Sequence, residues 1–322
     1  MKASASKTQN LLIGLDLGGT FLKYALGTPE GEIIYKNKMP SRANENKAVI
    51  FRVIFSAIKE LVAVAENENN KIRAIGFGSP GAVDFDSGKL IGSTPNIRDW
   101  ADAEIRKEIE SKFSIPVWAD NDANVMALAE ARVGAGKGYK YIICLTLGTG
   151  IGGGIIIDGQ LFRGSRFAGS ELGHISIQYD GFPCKCGGIG CLEQYASASA
   201  MVRLYKNKLK NSHKNVPANL NTELIFKQSQ LNDNLAIETI DETCEYLGTG
   251  MASIANALNP EIFILGGGLS EAGDGFIKKA HQVLVKRAMK PVTKDLKVLR
   301  ATLGNDAGMV GAIMLASEMS IN

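Results

Sequence analysis

The sequence contains no long hydrophobic run, since none of its apolar stretches reaches the roughly 18 residues that a membrane-spanning helix needs. It also contains no Lys/Arg-rich run. Its 36 basic and 33 acidic residues are interspersed and leave a net charge of +3, which is too small to favour nucleic acid as a partner. The first apolar stretch, residues 11–18, carries Asp16 and no cleavage site follows it, so it predicts a buried strand and not a signal peptide. We therefore expect a cytoplasmic protein without a membrane partner.

Cysteine and histidine are both scarce, with five and three residues in the chain. Five cysteines in a reducing compartment do not predict a disulfide framework. Three of them nevertheless fall within eight positions, in the stretch CKCGGIGC at residues 184–191, and His174 lies ten residues before the first. Three thiolates and one imidazole would make the tetrahedral ligand set that structural zinc prefers. The alternative is a group of free thiols that pack as small hydrophobic side chains.

The chain has 322 residues, which is more than a single hydrophobic core usually holds, so we expect two lobes. Apolar strands alternate with amphipathic helices, a pattern that predicts α/β sheets covered by helices on both faces. A strand, a glycine turn and a second strand open each half, with DLGGT in the first turn and LGTGIGG in the second. We expect a small lobe at residues 1–122, a large lobe at 123–305 that carries the cysteine cluster, and a C-terminal helix at 306–320 that packs back on the small lobe.

The two glycine turns have the composition of phosphate-binding loops. Backbone N–H groups of a glycine-rich turn can point at phosphate oxygens, and a carboxylate such as Asp16 can lie beside the cation. Neither turn is a Walker sequence, because the Gly-Lys-Ser/Thr ending is missing. The second is not a convincing dinucleotide fingerprint, because a predicted strand and not a helix follows it. Taken alone, DLGGT could equally be an ordinary hairpin turn.

The stretch ADNDAN at residues 119–124 places two carboxylates where a predicted strand meets a predicted helix. Phosphoryl transfer to a hydroxyl needs one carboxylate within hydrogen-bond reach of that hydroxyl, and Asp120 and Asp122 both qualify. Asp122 could instead cap the helix that follows. Glu171 and Glu193 flank the cysteine cluster, and this position makes them candidate functional residues. An isolated glutamate is more often a solvent-exposed charge.

Residues 171–197 resemble the signature of the ROK family (repressors, open reading frames, kinases) at every fixed position, with ELGH at 171–174 and GFPCKCGGIGCLEQYAS at 181–197. The two glycine turns are similar to the phosphate motifs of the sugar kinase, heat-shock ATPase and actin superfamily, and LGGG at 265–268 fits its adenosine loop. The resemblance implies an α/β, two-lobed ribonuclease H-like (actin-like ATPase) fold with a nucleotide and sugar cleft between the lobes.

The resemblance also implies roles for individual residues. The pattern N-D-x-N at 121–124 implies that Asp122 is the catalytic base, whereas Asp120 stands where the family usually has glutamate and receives no role in the chemistry. The implied zinc ligands are His174, Cys184, Cys186 and Cys191. The implied sugar contacts are Gly81, Asn96, Asn121, Asp122, Glu171, His174 and Glu193. The implied nucleotide-binding residues are Asp16, Gly18, Gly19, Thr20, Gly148, Thr149, Gly150, Gly266, Gly267 and Gly268.

Three further positions bear on the geometry of the site. Ser170 precedes Glu171 where the family more often has glycine, which puts the local loop geometry and the choice of substrate in doubt. Asp16 is the implied protein contact of magnesium, through water. Lys23, on the second predicted strand, is a weaker candidate for contacting phosphate.

Together these features predict a kinase that transfers the γ-phosphate of ATP to the 6-hydroxyl of a hexose, with Mg²⁺ and a structural Zn²⁺. Glucose is the expected acceptor. The alternative acceptors are an N-acetylhexosamine, fructose, mannose or allose. A 2-acetamido group needs room beside the sugar's 2-position, and no residue in the sequence indicates how much room there is. A transcriptional repressor or a non-catalytic sugar sensor is the alternative of another class, but 15 residues before Asp16 are too few for a helix-turn-helix domain. We expect a homodimer or homotetramer with no nucleic-acid partner.

Overall fold

The computed structural model describes residues 8–92, 94 and 97–320. These residues belong to two compact units. Unit 1 contains the chain up to residue 137, residues 163–169 and the chain from residue 305, whereas unit 2 contains residues 138–162 and 170–304.

The described residues form twelve strands and ten α-helices. The strands are β1 (Asn10–Leu17), β2 (Phe21–Gly27), β3 (Ile33–Pro40), β4 (Lys71–Ser79), β5 (Val83–Asp84), β6 (Lys89–Leu90), β7 (Val117–Asn121), β8 (Ile142–Leu147), β9 (Ile151–Ile157), β10 (Gln160–Leu161), β11 (Ile262–Gly266) and β12 (Lys297–Arg300). The helices are α1 (Lys47–Asn67), α2 (Ile105–Phe113), α3 (Asp122–Val133), α4 (Glu193–Ala196), α5 (Ala198–Asn211), α6 (Thr222–Gln230), α7 (Asn234–Leu258), α8 (Asp274–Arg287), α9 (Lys290–Thr293) and α10 (Ala307–Ser320). None of these helices combines the length and the apolar character needed to span a membrane.

Unit 1 is built on a five-stranded mixed sheet in the order β3-β2-β1-β4-β7, in which β1, β4 and β7 are parallel. Side chains alternate between the two faces of β1, as strand geometry requires. Ile13 and Leu15 pack in one cluster with Ile54 and Ile58 of the amphipathic helix α1. Leu12 points the other way and packs with residues of α10. The sheet is therefore covered by a helix on each face.

Helix α10 belongs to unit 1 although it lies at the end of the described chain. It packs on α3, β1 and β4, and most of its residues are buried, as its apolar and small-residue sequence predicts. Gly14 and Gly76 permit a close approach, because a Cβ there would lie 2.3 Å from the oxygen of Met309 and 1.8 Å from the oxygen of Ala312. Unit 1 extends past the boundary expected at residue 122, because α3 packs against α10.

Unit 2 contains a second five-stranded mixed sheet, in the order β10-β9-β8-β11-β12. As in unit 1, an antiparallel meander of three strands continues into two parallel strands. Leu145 of β8 and Leu265 of β11 share a core with Leu247 and Met251 of the long helix α7. The carboxyl ends of parallel strands therefore lie at one edge of each sheet, which is where α/β proteins bind ligands.

Candidate functional site

In unit 1, the junction of β7 and α3 holds the expected sugar-binding and catalytic residues. Asn121 is the last residue of β7 and Asp122 the first of α3. The Asn121 side chain is the helix cap, because its Oδ1 accepts hydrogen bonds from the backbone N–H groups of Ala123 (2.9 Å) and Asn124 (3.2 Å). Its Nδ2 donates to the carbonyl oxygen of Gly81 at 3.0 Å. The structure thus brings Gly81, Asn121 and Asp122 together. The N-cap of α3 is Asn121, whereas the sequence had suggested Asp122 for that role.

Asp120 and Asp122 differ in their surroundings. Asp120 is 1% exposed. Its Oδ1 accepts hydrogen bonds from the backbone N–H of Asn121 (2.7 Å) and from Asn124 Nδ2 (2.9 Å), and its Oδ2 accepts one from Arg163 Nε (2.6 Å). Asp122 is partly exposed on the first turn of α3, where the helix N-terminus favours a negative charge. Asp122 Oδ1 accepts a hydrogen bond from the backbone N–H of Ala123 at 2.9 Å. Asp120 is buried and ion-paired with Arg163, so the partly exposed Asp122 is the better candidate to accept a proton.

Arg163 is the member of this network that sequence reasoning missed. Its guanidinium lies over the ring of Phe85, 3.7 Å from the ring centroid. The backbone N–H of Gly169 donates to the carbonyl oxygen of Arg163 at 2.9 Å, which closes residues 163–169 into a loop of unit 1. The ion pair joins residues 43 positions apart, and no local pattern in the sequence signals such a pair. Asn96, the other expected sugar contact of this unit, lies outside the described residues.

The DLGGT turn joins β1 to β2 at the same edge of the sheet. The backbone N–H of Gly18 donates to the carbonyl oxygen of Phe21 at 2.9 Å and tightens the turn. Gly19 and Thr20 are exposed at its tip. The backbone of the tip is therefore accessible to an anion, as a phosphate-binding loop requires.

Asp16 lies beside this turn and directly opposite Lys23 of β2. The Lys23 Nζ lies 3.9 Å from Asp16 Oδ2. Burial raises the pKa of Asp16, and the charge of Lys23 lowers it to a smaller extent. Gly308 leaves room for the carboxylate, because a Cβ there would lie 2.4 Å from Asp16 Oδ2. A partly buried carboxylate with one ammonium group 3.9 Å away is a group that a further cation would stabilise.

In unit 2, the expected nucleotide-binding residues lie at the end of β11 and in the two loops that follow β8 and β11: Gly148, Thr149, Gly150, Gly266, Gly267 and Gly268. The backbone N–H of Gly148 donates to the carbonyl oxygen of Gly150 at 3.0 Å. Gly267 has a φ of +82° and packs against the end of β8, since a Cβ there would lie 2.6 Å from the oxygen of Leu147. The fold therefore places the two loops side by side at the carboxyl edge of this sheet.

The four expected metal ligands also converge in unit 2, with their ligand atoms all within 4.8 Å of one another. Cys186 Sγ lies 3.6 Å from Cys191 Sγ, and Cys184 Sγ lies 3.6 Å from His174 Nδ1. A disulfide would require about 2.05 Å between sulfurs, whereas tetrahedral zinc with bonds of about 2.3 Å places two sulfurs about 3.8 Å apart. The cluster could therefore hold one tetrahedral metal ion.

The thiols of this cluster have perturbed proton affinities. Burial raises the pKa of Cys191 to about 12 and also raises the pKa of Cys184. The backbone N–H of Gly188, which donates to Cys186 Sγ at 3.4 Å, lowers the pKa of Cys186. Since the thiolate is the form that binds metal, a cation would have to displace protons from the two buried thiols.

The two flanking glutamates lie against the same cluster. Glu171 Oε2 lies 4.0 Å from His174 Nε2, and Glu193 Oε1 lies 3.9 Å from His174 Nδ1. The thiol of Cys184 donates to Glu193 Oε1 at 3.2 Å. Partial burial raises the pKa of Glu171; His174 opposes this increase and the charge of Glu193 adds to it. The His174 imidazole thus lies close both to a possible metal ligand, Cys184, and to two carboxylates, which can accept hydrogen bonds from hydroxyl groups.

Glu193 also reaches the glycine turn between β8 and β9. Its Oε2 accepts a hydrogen bond of 3.4 Å from the backbone N–H of Ile151. A Cβ on Gly150 would lie 2.6 Å from the same oxygen, so glycine is needed where the carboxylate approaches. Glu193 therefore connects the cysteine cluster with one of the two expected phosphate loops.

Ser170, the residue that departs from the expected glycine, has a φ of +67°. This left-handed conformation is one that glycine adopts without strain and serine does not. The Ser170 hydroxyl donates to the carbonyl oxygen of Phe162 at 3.0 Å. The loop therefore has glycine-like geometry, and the hydroxyl provides a hydrogen bond that glycine could not make.

The family model, the similar sequences and the similar solved structures all include ROK family proteins. The family model described as the ROK family matches residues 12–319. The chain is 36% identical to a glucokinase of Halalkalibacterium halodurans over 315 residues, which cover 95% of this chain and 94% of that protein. It is 32% identical to a xylose repressor of Caldicellulosiruptor bescii over 322 residues, which cover 98% of this chain and 80% of the repressor. The crystal structure of a ROK family glucokinase from Streptomyces griseus in complex with glucose and AMPPNP has a TM-score of 0.81 and 33% identity, and the match covers 96% of this chain and 100% of that one.

The two mixed sheets with their covering helices, and the likeness to ROK sugar-kinase structures, identify an α/β protein with the actin-like ATPase fold, which confirms the fold class expected from the sequence. The family model spans nearly the whole chain, so the chain belongs to the ROK family.

Proposed function

We propose that the protein is an ATP-dependent hexose kinase with glucose as its principal acceptor. The observation that carries the proposal is the β7–α3 junction, where Asp120 is fully engaged by three donors and Asp122 is partly exposed at a helix N-terminus. The likeness to a glucokinase at 36% identity over 95% of the chain supports the activity. The glucose and AMPPNP held by the related crystal structure support the two substrates.

In the proposed reaction, Asp122 accepts the proton of the sugar 6-hydroxyl. That oxygen forms a bond to the γ-phosphorus while the bond from phosphorus to the bridging oxygen breaks, and ADP leaves. The proposed sugar contacts are Gly81, Asn96, Asn121, Glu171, His174 and Glu193. The proposed nucleotide contacts are Asp16, Gly18, Gly19, Thr20, Gly148, Thr149, Gly150, Gly266, Gly267 and Gly268.

Two metal ions belong to this proposal. Zn²⁺ would be held by His174, Cys184, Cys186 and Cys191, whose donor set and spacing fit a structural site and whose role is to stiffen the loop. Mg²⁺ would neutralise charge on the β- and γ-phosphates, with Asp16 as its protein contact through water. The partly buried Asp16 carboxylate, whose pKa is raised by burial, fits that assignment. A homodimer or homotetramer stays a prediction.

The test is an ADP-release assay with glucose, fructose, mannose, N-acetylglucosamine and N-acetylmannosamine as acceptors. Wild type and Asp122→Asn are compared with Asp102→Asn, a matched control whose side chain is 67% exposed in the same unit. We expect turnover on glucose, a loss of about 10²- to 10⁴-fold in kcat for Asp122→Asn, and wild-type rates for the control.

Each other outcome has a definite meaning. Turnover only on an N-acetylated sugar or on fructose would keep the mechanism and replace the acceptor. Full activity of Asp122→Asn would remove Asp122 as the base. Absence of turnover on every sugar, from folded protein that binds zinc, would contradict the kinase.

The second candidate is a sugar-responsive repressor or a non-catalytic sugar sensor, and the xylose repressor at 32% identity favours it. A gel-shift assay with genomic DNA fragments, with and without sugars, separates this candidate from the kinase. Sugar-dependent DNA retention without ADP release would support the repressor, and sugar binding with neither would support the sensor.

A further inference from the structure

A basic cavity of about 460 Å³ lies in unit 1, beside β2 and β3. The residues that line it include Lys23, Lys36 and Lys38, together with Phe21, Asn305 and Asp306. We call this cavity the lysine pocket. Its volume falls in the range of about 300–1,000 Å³ typical of small-molecule sites.

The register of β2 and β3 brings the lysines together. Lys23 lies directly opposite Lys38, and like charges at directly opposed positions destabilise a sheet. Lys36 lies two residues before Lys38, so strand alternation places its side chain on the same face. Three cations are thus gathered at a sheet edge in an arrangement that the fold itself does not favour.

The partners of the lysines leave excess positive charge. Lys36 Nζ lies 2.6 Å from Asp306 Oδ2. Lys38 Nζ lies 4.9 Å from the centroid of Phe21, an aromatic ring that is 38% exposed. Lys23 Nζ donates to the carbonyl oxygen of Asn305 at 3.1 Å. Three lysines against Asp306 of the lining and against Asp16, 3.9 Å from Lys23, leave a net charge of +1.

The position of the pocket points to phosphate as the anion. Lys23 contacts both the pocket and Asp16, which lies 3.9 Å away beside the DLGGT turn. Ammonium groups are point-charge donors that several phosphate oxygens can share. An anion in the pocket would meet Lys23 and Lys38 across one strand pair, with Lys36 beside them.

We propose that the lysine pocket binds a phosphate group of a small anion, at a site that adjoins Asp16 through Lys23 but whose lining contains neither Asp122 nor the glycine turns. Two sources carry this chemistry: a chain of linked inorganic phosphates, or a phosphorylated small metabolite. The proposal goes beyond the kinase reaction, because it needs neither Asp122 nor a sugar.

The experiment is a calorimetric titration of the full-length protein, saturated with Mg-AMPPNP, with inorganic tripolyphosphate and separately with glucose 6-phosphate. Tripolyphosphate represents the phosphate chain and glucose 6-phosphate the phosphorylated metabolite. The double variant Lys36→Gln/Lys38→Gln should weaken binding by about fivefold or more, since each exposed ion pair contributes roughly up to fivefold. Asp306→Asn should tighten binding, because it removes the only carboxylate among the lining residues.

Lys112→Gln is the matched control. Lys112 belongs to the same unit and lies over the ring of Phe55 at 4.9 Å, the distance at which Lys38 lies over Phe21, but it is not part of the pocket lining. Binding in this variant should equal that of wild type, and wild-type affinity should fall as salt is added. The ligand that binds with this variant dependence identifies the source.

The proposal is overturned if neither ligand binds, or if all variants bind equally. This result is independent of the kinase assay, because failure of the proposed kinase activity would leave the variant dependence of the titration unchanged. Kinase activity without lysine-dependent binding would refute the lysine pocket as a phosphate site and would leave the proposed kinase function in place.

Discussion

The two units have sheets with the same strand order, yet they hold their candidate functional residues in different ways. In unit 1, protein groups alone fix the β7–α3 junction: Asn121 caps the helix, and Asp120 accepts hydrogen bonds from two backbone or amide donors and from Arg163. In unit 2, His174 and the cysteines form a cluster with the ligand set of a metal site, and burial raises the pKa of the thiols of Cys184 and Cys191.

The β7–α3 junction and the cysteine cluster are therefore sensitive to different changes. A buried polar network with every charge paired is stable by itself but sensitive to the loss of one partner. A metal-ligand cluster depends on an ion, on pH and on thiol chemistry.

Loss of one cysteine ligand should have the largest effect on stability. We expect Cys186→Ala to bind little or no zinc and to lose several kcal/mol of the stability of unit 2, because structural zinc binding contributes roughly 10–16 kcal/mol in isolated zinc domains. Metal analysis and thermal unfolding check this result. Cys244→Ala, which removes a buried cysteine of α7 outside the cluster, should keep its zinc. Full zinc in Cys186→Ala would contradict the ligand assignment.

Loss of Arg163 should be the next largest effect. Arg163→Met leaves the buried Asp120 carboxylate unpaired and should destabilise the protein by about 3–5 kcal/mol. The matched control is Arg132→Met, which breaks the more exposed pair of Arg132 with Glu318 in the same unit and should cost about 1 kcal/mol or less. Chemical denaturation measures both values. Equal losses for the two variants would mean that Asp120 does not depend on Arg163.

The pH dependence of Asp16 gives a smaller effect of defined sign. Because burial raises the folded-state pKa of Asp16 above its unfolded value, the ionised carboxylate opposes folding above the folded-state pKa. The penalty disappears as the pH falls below the unfolded value. Asp16→Asn should therefore be more stable than wild type at neutral pH, with a difference that shrinks in acid. Denaturation series at several pH values test this expectation, and a stability loss at neutral pH would contradict it.

Ser170 should give the smallest effect. Ser170→Gly relieves a left-handed conformation that costs roughly 1–2 kcal/mol but loses a hydrogen bond worth about 1 kcal/mol, so its stability should change little. Ser170→Ala keeps the strained backbone and loses the bond to Phe162, so it should be destabilised by about 1 kcal/mol. A marked loss in Ser170→Gly with no change in Ser170→Ala would reverse this account.

Local features of the site could be predicted from the sequence because each is written in contiguous residues. The glycine turns follow apolar strands, and three of the four possible metal ligands lie within eight positions. The α/β class followed from the alternation of strands and helices, whereas the actin-like ATPase fold followed from the resemblance carried by the motifs. The extension of unit 1 past residue 122 could not be predicted, because it depends on the packing of α3 against α10.

The features that the sequence did not reveal depend on distant pairs or on register. Asp120 meets Arg163 only after the chain returns to unit 1 at residues 163–169. Asn121 and Asp122 are equally good caps by composition, and only the backbone direction at the junction selects Asn121. The lysine pocket requires the pairing of β2 with β3, which sets Lys23 opposite Lys38.

The most direct test of the central comparison is peptide-level hydrogen exchange on the zinc-loaded protein before and after chelation. The account predicts that protection is lost in residues 171–197, which include the cysteine cluster, while β7 and α3 at residues 117–133 keep theirs. Equal loss in both segments, or no loss in residues 171–197, would contradict the claim that protein groups hold the β7–α3 junction of unit 1 whereas a metal ion holds the cysteine cluster of unit 2.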